Sequence, residues 1–296
     1  MTEVLITGAN SFIGINFIRF SKYRNVKEIS LLETAPENID FRDVDVVLHL
    51  AAIVHQPRSS HRDDYYKVNR DLCKEVAHYA KRLGVKHFVF LSTVKVYGKF
   101  IPDSDPWNES TACYPEDDYG KSKYEAELAL EKLEDSDFNV SIIRTPIVYG
   151  PGVKANILRL IKLVEKFPIL PFGKVSNRRN YTYVENLVGF IDRIIEVRPS
   201  GTFIAMDDTA LSTTDLVLFL SKFLYRKIVL FKLPDLFVRT GVTLYPGFFD
   251  RLYGSFILDN SKTKELLNYK PPFSPEEGLK RTISFYLESK KKKNLS

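Results

Sequence analysis

Residues 4–21 constrain this chain more than any other stretch. Val4-Leu5-Ile6 is a short, wholly apolar run of the kind that forms a buried parallel strand. It leads directly into Thr7-Gly8-Ala9-Asn10-Ser11-Phe12-Ile13-Gly14, and from Ile13 to about Ser21 the pattern is that of an amphipathic helix. Gly8 permits a tight turn, and Gly14 lets the helix lie close to the strand. The helix start then presents free N–H groups and the positive end of its dipole to an anion, a pyrophosphate above all. Gly8, Asn10, Ser11, Phe12, Ile13 and Gly14 are thus the first candidate binding residues. Glycine pairs occur in many strand–helix turns, so the strand–loop–helix context carries the argument.

The same alternation continues. Strands are expected at Val4–Ile6, Ile29–Leu32, Val46–Leu50, His87–Leu91 and Val140–Arg144, with helices near 13–21, 65–83 and 119–134. Apolar strands alternating with helices predict a doubly wound α/β fold whose parallel sheet is covered on both faces. After Gly150-Pro151-Gly152 the pattern changes, with helices expected near 157–165, 184–197, 213–224 and 234–244. We read 1–150 as the nucleotide-binding domain, 151–289 as a smaller substrate-binding lobe partly interleaved with the sheet, and 290–296 as a basic, frayed tail.

Composition excludes several classes. Of the net charge of +6, four units come from Lys290, Lys291, Lys292 and Lys293, leaving roughly +2 for the rest, too weak a bias for nucleic acid. Cys73 and Cys113 have neither disulfide-framework nor zinc-ligand spacing, so no metal is expected and a reducing, cytoplasmic setting is. The N-terminus shows no signal-peptide pattern. The late apolar stretch from Leu216 to Leu233 is interrupted by Lys222, Arg226, Lys227 and Lys232, whereas a membrane span needs ~20 nearly uncharged residues.

Tyr119-Gly120-Lys121-Ser122-Lys123 places a phenol and an ammonium at i and i+4, on one helix face. A phenol has a pKa of ~10, and a nearby cation favours the phenolate, so Tyr119 could serve as general acid and base for an alcohol–ketone interconversion. Such a motif is common by chance, but its surroundings are not. Residues 7–14 resemble the TGxxGFIG loop of the NAD-dependent epimerase/dehydratase family, the extended short-chain dehydrogenases, with Ser11 at the usual middle glycine. Leu50-Ala51-Ala52 resembles that family's HLAA turn, and Tyr66-Lys67-Val68-Asn69 its YxVN element. Leu91-Ser92-Thr93-Val94-Lys95-Val96-Tyr97-Gly98 resembles its ST…VYG element. Pro115 to Glu127 resembles its P…YGxSKxxAE segment, and Arg144-Thr145-Pro146-Ile147-Val148-Tyr149-Gly150-Pro151-Gly152 its R…VYGPG crossover.

The resemblance implies a Rossmann fold and catalytic roles for Thr93, Tyr119 and Lys123. Thr93 would hold the substrate oxygen, and Lys123 would also bond the nicotinamide ribose. It places Leu50, Ala51, Ala52, Asn69, Pro146 and Val148 on the cofactor side, although a buried Asn69 amide suits a structural bond better. Glu33, 19 residues after Gly14 and read as closing the second strand, would accept from the adenosine ribose and favour NAD(H) over NADP(H). Between Glu33 and Asp43 there is little room for the usual linking helix, so the adenine side should be abbreviated.

Where 4,6-dehydratases of the family carry an acid pair after the Thr93 position, this chain has Val94 and Lys95. That disfavours dehydration and leaves chemistry needing a hydride and one proton at C4. Lys95, Lys154, Asn156, Arg179 and Arg251 are the candidate residues for a UDP-sugar, Arg179 as the diphosphate clamp. The nearest branch contains reductases of UDP-2-acetamido-2,6-dideoxy-4-ketohexoses for surface polysaccharides and proteins resembling UDP-glucose 4-epimerase. The leading expectation is a 4-ketoreductase, with an NAD-retaining 4-epimerase as the alternative and a non-catalytic regulator disfavoured by the intact catalytic set. A homodimer is compatible with this reading, though nothing in the sequence fixes it.

Overall fold

The computed structural model of the protein describes residues 2–54, 62–99 and 105–295. Its strands are β1 (Val4–Thr7), β2 (Val26–Ile29), β3 (Val46–His49), β4 (His87–Thr93), β5 (Asn139–Thr145), β6 (Ile147–Tyr149), β7 (Ile169–Leu170), β8 (Tyr181–Tyr183), β9 (Gly201–Ile204) and β10 (Val229–Leu230). Six of them form one parallel sheet in the order β2-β1-β3-β4-β5-β9. The helices are α1 (Phe12–Phe20), α2 (Arg62–Tyr66), α3 (Cys73–Arg82), α4 (Asp118–Glu131), α5 (Ala155–Lys166), α6 (Val184–Val197), α7 (Thr213–Phe223), α8 (Asp235–Leu244), α9 (Pro246–Tyr253), α10 (Ser261–Leu267) and α11 (Pro275–Leu295). A wider π turn, Lys67–Leu72, joins α2 to α3.

β1 and β3 are buried along their whole length, and β4 and β5 nearly so, because helices cover both faces of the sheet. On one face Phe17 of α1 and Leu187, Ile191 and Ile194 of α6 pack on Val4, Ile6 and Leu48. On the other, Cys73, Val76 and Ala80 of α3 and Ala126 and Leu130 of α4 pack on Leu5, Val47 and Phe88. Each such buried aliphatic or aromatic side chain contributes ~1.5–3 kcal/mol. This is the doubly wound α/β architecture expected from the sequence.

The adenine side departs from expectation. The second strand is Val26–Ile29, not Ile29–Leu32, and Leu32 is 98% exposed. Pairing stops there because the Ile29 carbonyl accepts from the N–H groups of Gly8 and Ala9, at 3.0 and 2.9 Å. The chain then turns on Ser30, whose carbonyl takes the amides of Glu33 and Thr34. A doubly wound sheet of order 3-2-1-4-5-6 has a further strand outside this position. Here residues 30–45 hold only the short 3-10 turn Pro36–Asn38, so β2 is the edge, and a strand is missing as well as a helix.

Beyond residue 150, α6 and β9 return to the main sheet, while α5, α7 and the pairs β6–β8 and β7–β10 build a second cluster around Ile161, Phe172, Tyr183 and Val217. α11 closes that cluster with Leu279 and Ile283. The lysine run is not the frayed tail expected: α11 runs through it to Leu295, and Lys290 bonds Glu165 at 2.7 Å. Among the described residues no helix is long and apolar enough to cross a membrane.

Candidate active site

Asp117 caps α4, accepting the Gly120 amide at 2.7 Å, and so fixes where Tyr119 begins the helix. Tyr119, Lys123 and Glu127 then follow at four-residue steps on the face turned to β4 and β5. The Thr93 hydroxyl lies beside the Tyr119 phenol at the end of β4 and interacts with it. The Tyr65 ring meets Tyr119 edge-on with centroids 6.4 Å apart. Below them Glu127, fully buried, receives Arg144 Nη2 at 2.6 Å and the Ser92 hydroxyl, which locks α4 to β4 and β5. Sequence reading gave no role to Glu127 and Arg144. A charged residue closing the apolar run Val140–Arg144, with an acid four residues beyond Lys123, was the available signal.

The electrostatics differ from the sequence expectation. Burial pushes the Tyr119 phenol up to about 12, partly opposed by its interaction with the Thr93 hydroxyl. Burial also pulls Lys123 down to about 8. The i, i+4 spacing is there, and the Lys123 stem runs inward, its ammonium 3.8 Å from the Phe90 ring centroid. Tyr119 is therefore a neutral phenol at neutral pH, set to donate a proton. Lys95 does not point into open space for a substrate: it pairs with Asp117 and lies 5.6 Å from the Tyr119 ring centroid. Val94 is buried.

At the glycine loop, Gly8 has φ +111°, and a Cβ there would meet the Ala51 amide nitrogen at 2.7 Å. This close approach brings β1 against the Leu50-Ala51-Ala52 turn, whose Leu50 and Ala51 amides bond the Thr7 carbonyl. The Ser11 oxygen has a second task, which leaves its hydroxyl proton as the group that could meet a phosphate. Its side chain is the N-cap of α1 and accepts the Gly14 amide at 3.1 Å. The Phe12 and Ile13 amides, first in the helix, have no intrahelical acceptors and point with the dipole, which fits a diphosphate. Asn10 takes a left-handed conformation (φ 59°), and its amide donates to Glu28 at 3.2 Å. Glu33 lies exposed in the turn after β2, so the acid that reaches the loop is Glu28. The Lys27-Glu28 pair marks an edge strand and could have pointed to it.

Asn69 is buried in the π turn. Its Oδ1 accepts the Ile53 amide at 2.8 Å, while Nδ2 donates to the Ile53 carbonyl at 3.1 Å and to Ser122 at 3.0 Å. Its role is to tie the loop after β3 to α4, not to meet a cofactor. Pro146 is buried between β5 and β6, and Val148 packs between the main core and the lobe.

On the substrate side Lys154 and Asn156 are exposed at the start of α5, where Ala155 takes φ 54°. Arg179 is partly committed: its Nη1 donates to the carbonyls of Asp250 and Gly254, at 2.5 and 3.1 Å, at the end of α9. Asn180, for which the sequence suggested no role, accepts the Leu258 amide at 2.9 Å. The Arg251 side chain lies outside the described residues. The structure thus brings Thr93, Tyr119, Lys123, Lys95 and the glycine loop to the carboxyl ends of β1, β3, β4 and β5, while Lys154, Asn156 and Arg179 remain on the lobe.

A parallel doubly wound sheet with a tyrosine–lysine pair beside a strand-end threonine defines a Rossmann-type enzyme. The chain belongs to the NAD dependent epimerase/dehydratase family, whose profile matches residues 4–204. It is 32% identical to a UDP-glucose 4-epimerase of Vibrio cholerae, over 97% of this chain and 96% of that protein. It is 28% identical to the N-acetyl-alpha-D-glucosaminyl-diphospho-ditrans,octacis-undecaprenol 4-epimerase of Escherichia coli O157:H7, over 78% and 75%. Two solved structures share the fold at 21% identity. A UDP-glucuronic acid 4-epimerase from Bacillus cereus in complex with NAD has a TM-score of 0.75, covering 97% of this chain and 99% of that one. A dTDP-4-dehydrorhamnose reductase from Clostridium acetobutylicum has 0.79, covering 97% and 100%.

Proposed function

We propose that the protein carries out nicotinamide-dependent redox chemistry at C4 of a sugar held by its diphosphate, and that it is a 4-ketoreductase. The observation that carries this is the set of side chains at the end of β4: the Tyr119 phenol beside the Thr93 hydroxyl, with buried Val94 and Asp117-bound Lys95 where a dehydration would need acids. A nicotinamide bound along the glycine loop would supply or accept the hydride. Thr93 orients the C4 oxygen, and Tyr119, neutral at working pH, donates its proton to that oxygen as negative charge develops. Arg179 and the lobe hold the diphosphate. A UDP-linked 4-keto-6-deoxy-N-acetylhexosamine is the proposed substrate class, and NAD(H) the proposed cofactor. The two relatives named above act on a UDP-sugar and on a polyprenol-linked sugar, so the sugar diphosphate is the part common to both.

The epimerase reading has its own support, because both of those relatives are named as 4-epimerases. The two differ in what happens to the cofactor. An epimerase keeps it through every turnover, whereas a reductase must exchange it, and the open β2 edge favours exchange. The purified protein should release little nicotinamide on denaturation and should consume one reduced cofactor per 4-keto-6-deoxy UDP-HexNAc, read by absorbance. Near-stoichiometric released NAD, with interconversion of UDP-GlcNAc and UDP-GalNAc without added cofactor, would overturn the reductase reading.

A further inference from the structure

The stretch around Lys222 to Lys232, too charged to span a membrane, takes no part in the site described above. In the fold it pairs with a second stretch. β10 and β7 lie parallel, with Val229 opposite Ile169 and Leu230 opposite Leu170. Successive side chains of a strand point to opposite faces. Ile228, Leu230 and Leu170 turn into the lobe core, so Phe167, Ile169, Val229 and Phe231 turn outward. Ile169 is 61% and Val229 64% exposed, far from the usual fate of β-branched residues. The apolar surface continues into the first turn of α8, where Leu236 is 73% exposed and Phe237 is also exposed.

Cations surround this face. Residues 166–174 and 222–237 contain Lys166, Lys174, Lys222, Arg226, Lys227 and Lys232 against a single acid, Asp235. All six are exposed. The neighbouring Glu165 already serves Tyr286 and Lys290, and Lys222 pairs with Glu276. The Lys166 ammonium lies 5.4 Å from the Phe167 ring centroid, so charge and aromatic surface are presented side by side.

A flat apolar patch interleaved with lysine and arginine matches an anionic lipid surface, where apolar side chains enter the headgroup boundary and cations meet the lipid charge. A second copy fits worse, because a two-fold contact would set the same cations against each other. We propose that the β7–β10 face and the start of α8 dock the protein peripherally on an anionic membrane surface. The docked face belongs to the same lobe as Arg179, whose guanidinium is held by the end of α9. The docking itself does not depend on the reaction proposed above.

The test is sedimentation of the full-length protein, without cofactor or sugar, with vesicles of equal parts phosphatidylglycerol and phosphatidylcholine and with vesicles of phosphatidylcholine alone. Binding is expected to the anionic vesicles only and to weaken as salt rises. The double variant Arg226→Glu/Lys227→Glu should lose vesicle affinity by more than about tenfold, with turnover and melting temperature unchanged. Phe231→Ser should weaken binding even at low salt. Absence of binding to anionic vesicles would overturn the proposal, as would binding indifferent to these substitutions. So would finding that the same substitutions disperse a dimer or release an acidic protein partner while vesicle binding is nil.

Discussion

In the β4–β5 part of the central sheet, both strands run seven residues, are almost wholly buried and are pinned to α4 by an internal ion pair between Arg144 and Glu127. At the β2 edge the strand is four residues long, carries Lys27 and Glu28 in solvent, and has no strand beyond it among the described residues. On the reading proposed above, the β4–β5 region would hold the proton chemistry, which tolerates little displacement, and the β2 edge the part of a cofactor that only needs to be gripped and released. Rigidity in this fold is concentrated where geometry limits the rate.

That contrast can be broken at several points. Tyr119→Phe should cut turnover by ~10²–10⁴-fold, the usual contribution of one general acid, with cofactor binding by fluorescence nearly unchanged; unchanged turnover would remove Tyr119 from the mechanism. Glu127→Ala leaves the Arg144 guanidinium buried without its partner and should cost ~3–5 kcal/mol by denaturant unfolding. Replacing both, Glu127→Leu with Arg144→Met, should recover much of that loss, and a double variant no better than the single would mean that the pair does not act as a unit.

Lys123 gives a pH signature. Its pKa falls from 10.5 in the unfolded chain to about 8 in the fold, with burial as the cause. Below pH 8 both states hold the proton and the full cost of a buried ammonium is present. Between pH 8 and 10.5 the folded protein sheds its proton first, so this group's contribution to stability rises with pH. Lys123→Met should therefore be more stable than the parent at pH 7, by up to ~3 kcal/mol, with the gap closing by pH 10. A gap constant across that range would show that Lys123 does not titrate there. The smallest effect belongs to the open end. Glu28→Ala removes one exposed contact with the Asn10 amide and should change cofactor affinity by less than about fivefold, under ~1 kcal/mol.

The same contrast explains what the sequence made legible. The apolar runs of β1, β3, β4 and β5 declare themselves because both faces are covered, and α6 lies at Val184–Val197 as its pattern indicated. Helical spacing put Tyr119 and Lys123 on one face, but Thr93 and the catalytic roles of all three were readable only through the resemblance of their segments to the family's motifs. The β2 edge was misplaced by three residues because Leu31 and Leu32 continue an apolar run that tertiary pairing with Gly8 and Ala9 cuts short. Glu33 went with it. Ser11 looked like a phosphate ligand, yet a serine one residue before a helix caps it first. The Lys123 orientation was invisible, since spacing fixes a face but not the direction of a four-carbon stem.

Asn69 touches neither the glycine loop nor Tyr119, but it holds Ile53 with both ends of its amide and Ser122 with one. Ser122 in turn donates to the carbonyl of Tyr119 at 2.9 Å. The loop where a nucleotide would rest and the first turn of the proton-donating helix are thereby one mechanical part. The Asn69 amide thus joins the loop after β3 to the Tyr119 backbone through three successive links, Ile53–Asn69, Asn69–Ser122 and Ser122–Tyr119, so that the loss of one side chain would cut the loop loose from the helix.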